Sequence, residues 1–177
     1  MLKFILKTII LILGIIALIF LHLGVSFLLP EPINKINIII TFITLFIVIR
    51  ETGVVIWISL ILHLFLELYA VTPFGSILFP SVIATLITYW IHRDVLTNRS
   101  WYAAAALSGI FLLIYRIGYT LIASASQILT TKHLTINYTN LAKTFLWEMG
   151  CTIILVTILY NILVLFIKRL QKTIIYS

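Results

Sequence analysis

The chain has 177 residues, 63% of them hydrophobic and only 10% charged, against roughly 45–50% apolar and about 25% charged in soluble domains. Such an inventory cannot furnish a water-facing surface, and a disordered chain needs the opposite bias. Composition therefore excludes a soluble globular enzyme, a nucleic-acid-binding domain and a disulfide scaffold, and marks a single integral membrane domain. The net charge of +7 comes from basic residues that flank apolar runs without interleaved aromatics, a mark of topology and not of a phosphate-binding face.

About 20 apolar residues cross a hydrocarbon core of roughly 30 Å, and six candidates follow along the chain. The first runs from Phe4 to Leu29. Lys3 and Lys7 at its start resemble a signal peptide, but the run is too long for an h-region and no small-x-small site closes it, so it is expected to stay as a helix. Pro30 and Pro32 end it, because proline cannot donate to a continuing helical ladder. The second and third spans are expected at Ile36–Ile49 and Gly53–Val71. Pro73-Phe74-Gly75 then makes a turn, proline fixing φ and Gly75 accepting φ > 0. The remaining spans are expected at Ser76–Ile91, Trp101–Ala123 and Leu141–Ile167. Between the last two, Ser124–Asn140 is polar and long, and is expected as an external loop or interfacial helix.

Orientation follows from Lys and Arg in the short loops. With the N-terminus inside, the inner side holds Lys3, Lys7, Arg50, Arg93, Arg99, Lys168, Arg169 and Lys172, and the outer side holds Lys35, Lys132 and Lys143. Eight against three favours both termini in the cytoplasm. Trp57, Trp90 and Trp101 then fall near one interface and Tyr69 and Trp147 near the other.

Ionisable groups within spans each cost about 2.5–3.5 kcal/mol at the bilayer centre, so they need partners or water. At ~1.5 Å of rise per residue, Glu67 lies roughly 21 Å and Arg116 roughly 22 Å from the inner face. Glu148, on a descending helix, lies roughly 20 Å above that face. Three charges on three helices thus reach one level, and the expectation is a polar cluster or outward pocket in which Arg116 bridges Glu67 and Glu148. The competing expectation is that Arg116 pairs with one acid to fix register while the other snorkels to headgroups. His63, one turn before Glu67, could hydrogen-bond to it or simply pack in the interior, and His22 reads as interfacial. Ala105, Ser108 and Gly109 form a small-residue patch that lets helix backbones approach, within this bundle or against another membrane protein.

No sequence signature of catalysis is present: neither Gly-x-Ser-x-Gly, nor His-Glu-x-x-His, nor a P-loop. Cys151 is the lone cysteine, no Cys/His cluster has zinc spacing, and no cofactor or metal site is expected.

From the third span onward the chain resembles MreD, the rod shape-determining membrane protein family of bacteria. The stretches that carry the likeness are LELYAVTPFG at 66–75, TNRSWY at 97–102 and LFIKRLQK at 165–172. In that family an acidic residue, usually aspartate, follows a leucine near the end of the third helix, and a short turn ending in glycine leads into the fourth. Glu67 and Gly75 hold those positions. The resemblance implies an all-α bundle of six transmembrane helices similar to the substrate-binding S-components of energy-coupling-factor transporters. It also implies a non-enzymatic scaffold in the inner membrane that works with MreC-like and RodA/transpeptidase-like proteins in lateral-wall synthesis. The alternative expectation is a small-molecule-binding subunit of a transporter, with its outward pocket at Glu67, Arg116 and Glu148.

Overall fold

The computed structural model describes residues 2–131 and 138–175 and contains no strand among them. Six helices follow one another: α1 (Leu2–Leu28), α2 (Ile38–Arg50), α3 (Val54–Tyr69), α4 (Leu78–Asp94), α5 (Trp101–Thr131) and α6 (Tyr138–Ile175). A 3-10 turn at Ile33–Lys35 separates α1 from α2. The stretches Thr8–Leu28, Trp101–Leu129 and Thr139–Ile167 are long and apolar enough to cross a membrane, while α2 and α3 are apolar but shorter.

The shortest helix is the centre of the bundle. α2 packs against each of the other five, and nine of its 13 residues are buried. A helix apolar on every side belongs in such a place. Its two threonines satisfy themselves locally, Thr41 Oγ1 donating to the Asn37 carbonyl at 2.8 Å and Thr44 Oγ1 to that of Ile40 at 2.9 Å. α1 is its opposite. Among the described residues only Ile19 of α1 is buried, and Leu13, Phe20 and Phe27 face outward.

α5 is clasped between α4 and α6. Ala103, Ala104, Leu107 and Ser108 are fully buried, and a Cβ at Gly109 would stand 3.6 Å from Ile153 of α6. The patch of Ala105, Ser108 and Gly109 thus lies along a helix contact made within the chain. A closer approach occurs two turns on, where a Cβ at Gly118 would stand 2.9 Å from the Pro80 Cβ of α4. That is shorter than real side chains tolerate, so glycine is what allows α4 and α5 to meet there.

Of the two expectations for Ser124–Asn140, the loop is corrected and the helix is of another kind than expected. Residues 124–131 continue α5, and 138–140 belong to α6. Of the expected segment, Lys132 and its neighbours through 137 lie outside the described residues. The physical reason is visible in the hydroxyls: Ser124 Oγ donates to the Thr120 carbonyl at 2.7 Å and Ser126 Oγ to that of Ala123 at 2.8 Å. Serines that turn back onto their own helix carry polarity without breaking it, and neither proline nor glycine interrupts Ser124–Thr131.

Candidate functional site

Glu67 sits two residues before the last residue of α3 and is 4% exposed. Its Oε1 accepts the Gly75 N–H at 3.0 Å, and its Oε2 accepts those of Ile77 and Leu78 at 2.9 and 2.7 Å. α4 has no cap of its own, since Ile77 stands at its N-cap without a side-chain acceptor. The first N–H groups of any helix lack intrahelical partners, and here a carboxylate from the preceding helix supplies them, with its charge at the positive end of the α4 dipole. Pro80, in the first turn, has no N–H to satisfy. The turn is closed by Ser76 N–H donating to the Pro73 carbonyl at 3.1 Å, and Gly75 takes φ +93° with the Phe79 ring against its α-carbon. A side chain at 75 would meet both obstacles.

The expected bridge through Arg116 is therefore corrected. Arg116 pairs with Glu148, through Nε at 2.8 Å and through Nη2, both onto Oε2, and Glu67 is held by backbone instead. The remaining oxygen of Glu148, Oε1, accepts Nδ2 of Asn37 at 3.2 Å. Asn37 is the residue missed in the sequence. It caps α2 by accepting the Ile40 N–H at 3.1 Å, and its own N–H donates to Thr152 Oγ1 of α6 at 3.1 Å. An asparagine just before an apolar run is an N-cap signal, and that signal was legible. Glu148 is 6% exposed, so the pair satisfies the rule that a buried charge needs a partner and further hydrogen bonds.

A cavity of about 170 Å³ opens beside this pair, with Arg116, Glu148, His22, Asn34 and Lys35 on its walls. His22 Nδ1 and Asn34 Oδ1 are buried and have no hydrogen-bond partner. Lys35 is answered by Glu31 at 2.9 Å. The polar pocket expected at Glu67, Arg116 and Glu148 is thus relocated: α1 and the 3-10 turn contribute to it, and Glu67 does not.

His63 does not bond to Glu67. It is 2% exposed, and its Nδ1 lies 2.9 Å from the Ser59 carbonyl and 3.2 Å from Ser59 Oγ. A carbonyl only accepts, so Nδ1 carries the proton and the imidazole is the Nδ1–H tautomer. Ser59 Oγ in turn lies 2.6 Å from Thr85 Oγ1 of α4. Thr85 donates to the Ser81 carbonyl at 2.7 Å, which assigns the Ser59 hydroxyl as donor to Thr85. This chain of bonds fastens α3 to α4 inside the core, as an interior histidine would.

At the opposite end of the bundle Arg99 Nε donates to Glu51 Oε1 at 3.1 Å, and His92 Nε2 stands 3.6 Å from the same oxygen. Glu51 terminates α2 in the left-handed region at φ 50°. The hydrogen bond from Arg99 and, less strongly, the neighbouring His92 hold its carboxyl below the usual carboxylate range. This group was not anticipated, because Glu51 and Arg99 are 48 positions apart and nothing local couples them.

Among the described residues no three His, Cys, Asp or Glu side chains converge as metal ligands. No protein-family model, curated protein or solved structure matches this chain.

Proposed function

We propose that the chain is a six-pass protein of the bacterial inner membrane with both termini cytoplasmic, acting as a non-enzymatic scaffold of the cell-shape and lateral-wall elongation apparatus in the manner of MreD. The observation that carries this reading is the closed unit formed by Glu67 and the 73–78 turn. The acid and the glycine on which the resemblance rests are bound to each other, and both serve to join α3 to α4. Three backbone donors take three of the roughly four acceptor positions of a carboxylate, so this side chain is committed mainly to the turn.

The six-pass reading is supported by how polar groups collect at two ends. Asn37 and the 73–78 turn lie where α2 begins and α3 ends, and Asn37 meets Glu148 and through it Arg116, inside α6 and α5, whereas Glu51, His92 and Arg99 lie where α2 and α4 end and α5 begins. Successive helices that alternate in this way suit alternating crossings. The eight-to-three division of Lys and Arg puts the second group on the cytoplasmic side. Basic residues there attract anionic headgroups at about 1 kcal/mol each near the surface.

Depletion of the chain in its own host tests the proposal. Rod-shaped cells are expected to round up, and an affinity-tagged chain is expected to co-purify MreC-like and RodA/transpeptidase-like proteins. Unchanged shape together with loss of neither partner from the membrane fraction would overturn it.

A further inference from the structure

The cavity beside Arg116 and Glu148 has a chemistry that the scaffold reading does not use. We propose that it is a binding site for a small zwitterion, a solute of amino-acid size carrying one carboxylate and one ammonium group. The inference goes beyond the scaffold role and stands independently of it.

Space comes first. About 170 Å³ is room for several waters, each taking about 30 Å³ of liquid, or for one small solute. Charge decides the kind of solute. Two cations, Arg116 and Lys35, and one acid, Glu148, line the cavity. Glu148 Oε2 takes both bonds from Arg116 and Oε1 takes one from Asn37. Glu148 therefore orients the guanidinium and keeps one acceptor position, on Oε1. Arg116 uses Nε and Nη2 on that one oxygen and keeps Nη1 for a second acceptor, since a guanidinium carries five N–H donors. Lys35 bonds to Glu31 with an ammonium that has three donors. A carboxylate placed between Arg116 and Lys35 meets charge-assisted donors from both.

The other end of the solute is fixed by what remains unpaired. Asn34 and His22 line the cavity, Asn34 Oδ1 and His22 Nδ1 are buried without partners, and a buried polar group left so costs about 1–3 kcal/mol. Asn34 Oδ1 can only accept, so it calls for a donor, and an ammonium supplies donors to Asn34 and to a deprotonated His22 Nδ1 together. Ser26, one helical turn from His22 on α1, adds a hydroxyl to the same wall. A zwitterion carries no net charge into the site, which lowers the desolvation cost that an isolated ion would meet. Lys35 also lines a wider cleft of about 500 Å³ bounded by Glu31, Lys143 and Trp147.

Equilibrium dialysis of the purified full chain in lipid nanodiscs tests the site. The probes are radiolabelled glycine, alanine and serine, with acetate and methylamine as single-charge counterparts. At least one amino acid is expected to bind saturably with one site per chain, and at least tenfold more tightly than acetate or methylamine. Asn34→Ala removes only a side chain that makes no bond within the protein. It is expected to weaken binding tenfold or more without lowering the thermal unfolding midpoint of the ligand-free protein, and Lys35→Met is expected to weaken binding similarly. Arg116→Ala is the less informative variant because it strands Glu148. Absence of saturable binding by all three amino acids, equal binding of acetate, or unchanged binding in Asn34→Ala each overturns the proposal. None of these outcomes bears on cell shape, so the two readings fail separately.

Discussion

Three charges within the helices, two of them buried, illustrate how differently one bundle can use its ionisable residues. Glu67 accepts three backbone N–H groups, and each charged hydrogen bond contributes about 1.5–3 kcal/mol. Glu67→Ala leaves those donors buried without an acceptor and is expected to destabilise the protein by about 3 kcal/mol or more. Glu67→Asp, the residue usual in the resembling family, has a carboxylate that stops one methylene short and is expected to recover only part of that loss. Unfolding of the purified variants in mixed micelles measures both. Arg116 and Glu148 are expected to behave as a unit. Arg116→Ala strands the buried Glu148 at about 3–5 kcal/mol, Glu148→Ala costs less because Arg116 is partly exposed, and Arg116→Met combined with Glu148→Met removes both charges together. The double variant should be more stable than the sum of the two single losses implies, and a double-mutant cycle reads the coupling directly. Additivity within about 0.5 kcal/mol would mean that the pair is not mutually dependent.

At the scale of helices the decisive feature is distance between backbones. Gly118 lets α5 come within contact of Pro80 on α4, and Gly118→Ala is expected to cost about 1–3 kcal/mol through overpacking. Gly150, with open space around its α-carbon, provides the contrast: Gly150→Ala is expected to be neutral or stabilising by up to about 1 kcal/mol. How much of this is legible in the sequence depends on which coordinate is asked for. Helix order and rough extent are readable because apolar runs and the Pro73–Gly75 turn mark them, and rise per residue brings Arg116 and Glu148, which do meet, to one height. Rotation about each helix axis does not follow. In an apolar chain every face looks alike, so nothing said that Arg116 turns toward Glu148 and Asn37 while Glu67 turns toward Gly75. The α4 cap could still have been inferred. Ile77 offers no acceptor, the N–H groups after it need one, and Glu67 lies one short turn away. The extension of α5 was hidden for another reason, because Ser124 and Ser126 look like loop residues until their hydroxyls are seen returning to the helix.

Taken as a whole the molecule is pinned at both ends and filled with aliphatic packing between them, and the two ends answer to different conditions. The Glu51–Arg99 pair is exposed, so its contribution is small, about 0.2–1 kcal/mol. The sign follows from the lowered carboxyl. A group whose folded pKa lies below its unfolded one contributes stability above the unfolded value and loses it as pH falls through the folded value. Acidification below the usual carboxylate range should therefore weaken the wild type slightly more than Glu51→Gln, and salt should narrow the difference. Which end faces the cytoplasm is a separate matter, and labelling decides it. With Cys151 replaced by Ser, Val71→Cys places a thiol in the fully exposed segment after α3, and Asn98→Cys places one in the exposed segment between α4 and α5. If both termini are inside and the helices alternate, α3 ends outside and α4 ends inside. A membrane-impermeant maleimide added to intact cells should then modify the cysteine at 71 and spare the one at 98 until the membrane is opened. The reverse pattern would invert the topology, and labelling of both from outside would break the alternation on which six crossings depend.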